Sequence, residues 1–196
     1  MLSERLMKQI DFIIELDKMK NMYRQTYVLH EDRKENDAEH SWHLAVMTML
    51  LSEHSNKPID VLKVIKMVLV HDIVEIDAGD TYCYDKDGNT TKRDREEKAS
   101  ERIFGLLPND QKNEFNSLWH EFEESSTDEA RFAAVLDRLQ PLLLNYTKKG
   151  LSWKEHGIYK EQVMNRNIEY FRQSDNIAEL IKSIIDDAAE QGWLKL

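Results

Sequence analysis

Apolar residues along this chain recur mostly at three- and four-residue spacing, as in amphipathic helices with one face turned to a core. Leu6, Ile10, Ile13, Ile14 and Leu16 mark a first helix that runs to about Lys20. A polar segment from Asn21 to Asn36 follows, and Asp37 is placed to cap a second helix continuing through His54. The stretch "NKPID" breaks the chain, after which Asp60 can cap a third helix whose apolar run, 61–76, covers most of its surface. A helix apolar nearly all round belongs at the centre of a bundle. Next, "DAGDTYCYDKDGNTT" concentrates Gly79, Gly88, Asp85, Asp87 and Asn89, turn formers that predict a loop. Further helices are expected over approximately 91–107, 109–124, 127–148, 159–172 and 175–191, with no repeat and no long linker.

Composition agrees with an all-α architecture, because 196 residues contain only 3 prolines and 6 glycines. A hydrophobic content of 41% suffices for one core, so a single domain over 1–196 is expected. A net charge of −10 without clustered Lys or Arg speaks against duplex nucleic acid, while leaving room for a small anion in a local basic or metal-lined pocket. Cys83 is the only cysteine, which excludes an internal disulfide. The opening "MLSERLMKQI" lacks the apolar stretch of a signal peptide, and no apolar run approaches the roughly 20 residues that span a bilayer. A cytoplasmic setting is the expectation.

Three placements then demand chemistry. In "VLVHDIVEIDAGD", His71 and Asp72 stand between Leu69, Val70, Ile73 and Val74, so at least one of the pair faces the interior. A buried carboxylate costs several kcal/mol unless it is paired or bound to metal. An Arg partner, or a hydrogen-bonded core histidine, would be the plain structural answer. In "ENDAEHSWHLAVM", however, His40 and His43 open the preceding helix, and in "FAAVLDRLQPLLL" Asp137 interrupts another apolar stretch. Imidazoles and carboxylates from three interior helices suit one divalent ion such as Mn, Co, Fe, Ni or Zn.

The order His40, His71-Asp72, Asp137 resembles the H…HD…D signature of the HD-domain metal-dependent phosphohydrolases. "AEHSWHLAVM" followed by "HDIVEIDAGD" looks more narrowly like the 5′-deoxynucleotidase branch, in which a glutamate follows the HD aspartate by three residues and a Gly-Asp pair closes the motif. Glu75 and Gly79-Asp80 fill those places. The resemblance runs from the first helix to about Tyr146, leaving about 151–196 as additional helices beside a motif-bearing core of about 1–150.

It implies an all-helical HD-domain bundle with His40, His71, Asp72 and Asp137 as ligands of one divalent metal ion. Glu75 would orient or deprotonate the attacking water, and Asp80 would accept a hydrogen bond from a sugar hydroxyl. Arg24 in "NMYRQTY" is the choice for the phosphate, with Arg33 as rival, and a guanidinium offers paired donors for phosphate oxygens. Relatives with strict deoxy preference carry a tryptophan near this arginine, where this chain has only Tyr23 and Tyr27. The expected activity is therefore removal of the 5′-phosphate from (deoxy)nucleoside monophosphates, by a homodimer. The alternatives are an HD phosphodiesterase or pyrophosphohydrolase acting on another nucleotide, or a non-catalytic nucleotide-binding module with a metal-stabilised core.

Other residues are read more plainly. His43 follows His40 by three residues, not the four of a helical metal pair, and belongs to packing or to support of the ligands. Glu39 stands in an acidic first turn. Asp77 and "RDREEKASER" are expected in solvent. Tyr82 and Tyr84 could stack on a base, strand-like packing being the simpler reading. The four tryptophans are assigned to core or interface, and Cys83 has no base that would make it a nucleophile.

Overall fold

The computed structural model describes residues 2–196 as a helical bundle carrying one small hairpin. α1 (Glu4–Leu16) starts where the Ser3 side chain accepts from the Leu6 amide, and a 3₁₀ turn, Asp17–Asn21, leads to the hairpin. Its antiparallel strands β1 (Tyr23–Tyr27) and β2 (Lys34–Asn36) set Tyr23 opposite Asn36 and Tyr27 opposite Lys34. The polar segment expected between the first two helices is thus ordered, and its ladder delivers the chain to α2 (Asp37–Leu51).

The cap of α2 is Asn36, which forms a reciprocal box with Glu39, and not Asp37. Asp37 lies inside the first turn and is fully buried. α3 (Val61–Val70) is capped by Asp60, as expected, and packs with α2 and with α7 (Asp128–Thr147) to form the centre of the bundle. The single helix expected over 61–76 is interrupted: Ile73 and Glu75 donate to Val70 and Asp72, three residues back, and helix resumes as the single turn α4 (Glu75–Ala78). Gly79 then takes φ 76° and ψ 145°, a conformation open essentially to glycine alone.

α5 (Lys86–Phe104) begins within the expected loop, because the Asp85 carboxylate caps it by accepting from the amides of Asp87 and Gly88. α6 (Asn109–Glu124) falls where the pattern put it, as does α7 behind its Thr127 cap. An unforeseen short helix, α8 (Leu151–His156), follows Gly150, whose φ is +70° and where a Cβ would stand 2.5 Å from that of Trp193. α9 (Lys160–Ile168), a 3₁₀ turn at Phe171–Gln173 and α10 (Asp175–Glu190) complete the chain.

One apolar cluster runs from Phe12 to Leu194 and includes the C-terminal helices. Two faces depart from expectation. The α1 stripe is left in solvent, with Ile13 and Ile14 60% and 65% exposed while Phe12 supplies the buried contact. α3 likewise exposes Leu62 and Leu69. Trp119 and Trp153 are core residues, whereas Trp42 is 65% exposed. No helix among the described residues is long and apolar enough to cross a membrane.

Candidate metal centre and adjoining pocket

Adjacent side chains of a regular helix diverge by about 100°. The interruption after Val70 lets His71 and Asp72 address one point instead, with His71 Nε2 3.1 Å from Asp72 Oδ1. α2 brings His40 to the same point, so that one ligand atom from each of His40, His71 and Asp72 lies within 4.8 Å of the others. α7 adds Asp137, whose Oδ1 is 3.1 Å from His40 Nε2 and 3.7 Å from His71 Nε2. The four residues expected to ligate a metal thus form one cluster, drawn from three elements.

Tautomers show that this cluster fits a cation. His71 Nδ1 faces the Val68 carbonyl at 3.0 Å and so carries the proton, leaving Nε2 buried without a hydrogen bond. His40 Nδ1 faces the Gln140 Oε1 at 3.0 Å. The amide is held that way round because its Nε2 donates to Glu35 at 2.6 Å and also lies 3.2 Å from His43 Nδ1. In the neutral histidine the Nε2 lone pair then meets a carboxylate oxygen at 3.1 Å, which only a proton or a metal ion between them relieves.

The electrostatics agree. Burial alone would lower His71, but the Asp72 and Asp137 carboxylates reverse this and push it up to about 10. His40 is lowered by burial and by the nearby Arg24 charge. Burial opposes ionisation of Asp72 and Asp137 too, yet the histidines hold both below the usual carboxylate range, helped at Asp72 by Arg24.

Around this centre lie acids that behave oppositely. Glu75 is buried, pushed well above its usual range by desolvation and then by Asp72, Asp37 and Asp80, and its Oε2 has no partner. Glu35 and Asp37 are each raised to about 7, mainly by burial. Asp80 is raised by burial as well. Arg24 threads between them: its Nη1 donates to Asp72 Oδ2 at 2.7 Å and stands 3.5 Å from Asp37 Oδ1.

The cluster opens on a pocket. Four carboxylates line it, from Asp72, Glu75, Asp80 and Asp137, and so do four cations, from Arg24, Lys92, Arg138 and Arg166. Tyr82, Tyr84 and Trp153 add an aromatic wall, and Cys83 also lines it. The tyrosines sit in an irregular turn, not a strand, with ring centroids 5.3 Å apart.

Arg33 is not part of this surface: it is exposed, and its guanidinium donates to Glu39 at 2.7 and 2.9 Å and to Glu31 at 2.7 Å. His43 supports Gln140, and Asp77 is held by Arg102 at 2.7 Å. "RDREEKASER" is not a wholly solvated face, because Glu96 is buried and Arg95 donates to Thr81 at 2.7 Å, steadying the turn that carries Asp80. Sequence reasoning missed Glu35, Asp37, Gln140, Lys92, Arg138 and Arg166. Gln140 had a visible signal, being a second polar residue one turn after Asp137 in the same apolar stretch.

Fold and site together define a class: an all-helical protein whose interior histidines and carboxylates are arranged for a divalent cation beside a pocket of balanced charge. The chain belongs to the HD domain family, which matches residues 16–178. This bears out the resemblance read from the motifs and extends the match past Tyr146 into the C-terminal helices. A 5′-deoxynucleotidase, HDDC2, of Bos taurus is 32% identical over 136 residues, 68% of this chain. The Homo sapiens HDDC2 is 32% identical over 136 residues, also 68% of this chain. The aligned part spans 64% and 65% of those relatives' own lengths. A crystal structure from Magnetospirillum magnetotacticum MS-1, described as a predicted metal-dependent phosphohydrolase, is 44% identical. It superposes with a TM-score of 0.93 over 98% of this chain and 96% of that one.

Proposed function

We propose that the chain is a metal-dependent phosphomonoesterase that removes the 5′-phosphate from (deoxy)nucleoside monophosphates. The observation that carries this reading is the charge of the pocket beside the histidine–aspartate cluster. Its four carboxyl side chains are matched by four cations, so a divalent ion at the cluster leaves the pocket net positive, which suits a phosphomonoester dianion. The similarity to relatives named 5′-deoxynucleotidases supports the nucleotide as substrate.

In this reading His40, His71, Asp72 and Asp137 hold the ion, which on their donor types is Mn, Co, Fe, Ni or Zn. When bound, it supplies neutralisation of phosphoryl charge and acidifies water. Arg24 binds a phosphate oxygen through the guanidinium that otherwise donates to Asp72. Glu75, buried beside the cluster on the pocket wall with its Oε2 unpartnered, takes the proton of the attacking water and can return it to the leaving alkoxide. Asp80, at the Gly79 turn, accepts from a sugar hydroxyl. The residues flanking Arg24 are Tyr23, 56% exposed, and Gln25, so selection against a 2′-hydroxyl is left to the pocket wall. Homodimerisation belongs to the same proposal, and light scattering on the purified chain tests it.

The deciding experiment is phosphate release across a panel of ribo- and deoxynucleotides, with the ion present and with it chelated. Inorganic phosphate from monophosphates, abolished by chelation, supports the proposal. Pyrophosphate from triphosphates, or ring opening of cyclic nucleotides, overturns it. Glu75→Gln is expected to lower kcat by about 10²–10⁴. Undiminished turnover in that variant would remove Glu75 from the mechanism.

A further inference from the structure

Three of the four cations on the pocket wall already have partners. Arg24 donates to Asp72 at 2.7 Å, and Lys92 Nζ stands 3.3 Å from Glu96. Arg138 lies over the Tyr170 ring at 3.9 Å while its Nε donates to the Arg166 carbonyl at 3.0 Å. The Arg166 side chain differs. Among the described residues no carboxylate comes within ion-pair distance of its guanidinium and no acceptor takes a hydrogen bond from it, although it is half-buried on the pocket wall.

Its place on α9 is fixed by packing. Val163 and Asn167, three residues before it and one after, are buried and line the same pocket, so this face of the helix is turned inward. Arg166 lies within electrostatic reach of Asp137 at the histidine cluster and of Arg24, whose like charge opposes it. A half-buried guanidinium with five N–H donors and no protein acceptor is incomplete, and Arg166 faces the same cavity as Arg24, so that an anion between them would meet donors from two elements.

We propose that Arg166 is a substrate-binding residue that donates to an oxygen of the nucleotide phosphate from α9, while Arg24 approaches the same group from the hairpin. This rests on the phosphomonoester reading above for the identity of the anion. It gives the C-terminal helices, which lie outside the metal-binding motif, a direct part in recognition.

The test uses inorganic phosphate as probe, measured both by calorimetric titration of the metal-loaded chain and as a competitive inhibitor of nucleotide hydrolysis. Arg166→Gln is expected to weaken phosphate binding about tenfold or more and to raise KM by a similar factor, with kcat changed less than about threefold. Since the side chain has no protein partner to lose, the thermal midpoint should stay within about 2 °C of the parent. Should Arg166→Gln fail to fold, Arg166→Lys replaces it. That variant keeps the charge but loses the paired donors, and a three- to tenfold weaker phosphate affinity is then expected. Phosphate affinity unchanged within twofold in the folded variant overturns the proposal, as does a loss confined to the phosphate-free nucleoside, which would place Arg166 on the base. The titration needs no turnover, so a chain that binds phosphate through Arg166 but hydrolyses no nucleotide would sink the proposed activity and leave this assignment standing.

Discussion

Gln140 decides what His40 can do. The carboxamide accepts from His40 Nδ1 at 3.0 Å because its Nε2 donates to Glu35 at 2.6 Å and faces His43 Nδ1 at 3.2 Å, and this leaves the His40 Nε2 lone pair toward Asp137. Gln140→Leu removes that orientation and should weaken metal binding about 10–100-fold in a competition titration against a chelator. An affinity within twofold of the parent would show that Asp137 alone orients the ring. Most of the cluster was legible along the chain, since His71, Asp72 and Asp137 each interrupt an apolar stretch, where burial makes an ionisable group conspicuous, whereas His40, in a polar helix start, was singled out by the order of the motif. Glu35 and Asp37 were not, because they lie in or beside a polar segment and reach the interior only through the pairing of β1 with β2, a nonlocal contact that no local pattern encodes.

At the level of elements, the geometry depends on where helices stop. α3 ends at Val70, α4 lasts one turn, and Gly79 swings the chain so that Asp80 and Tyr82 reach the pocket. Nothing lies within 4 Å of the place a Gly79 Cβ would occupy, so Gly79→Ala meets no clash and its cost is backbone strain alone. The expected loss is about 1–3 kcal/mol in denaturant unfolding, with a higher KM as Asp80 is displaced. Unchanged stability would mean that the turn tolerates another backbone conformation. Periodicity located α6 and α7 well because their apolar faces are deeply buried, and it misjudged α3 because continuous hydropathy conceals a break held by three-residue hydrogen bonds. It placed the start of α5 late since Gly88 and Asn89, turn formers by habit, are overruled by the Asp85 cap.

For the molecule as a whole, buried acids set the response to pH. Glu35, Asp37 and Glu96 hold their protons to about 7 in the folded chain, whereas unfolded carboxyls release theirs near 4. The native state therefore binds more protons across that interval, and these groups make the chelated protein less stable as pH rises from about 5 to 7. Metal binding requires deprotonated ligands and runs the other way, so the rise in thermal midpoint on adding Mn²⁺ should grow over the same interval. A scan in which chelated and loaded protein show parallel pH profiles would contradict this. The hydrogen bonds from His40 through Gln140 to Glu35 have one more consequence: they tie the histidine cluster to strand β2 by a side-chain path separate from the backbone that runs from β2 into α2. Whatever steadies one end steadies the other by the same free energy. The backbone amides of the hairpin should accordingly exchange their hydrogens with solvent more slowly once an ion is bound, making 23–36 a label-free gauge of site occupancy.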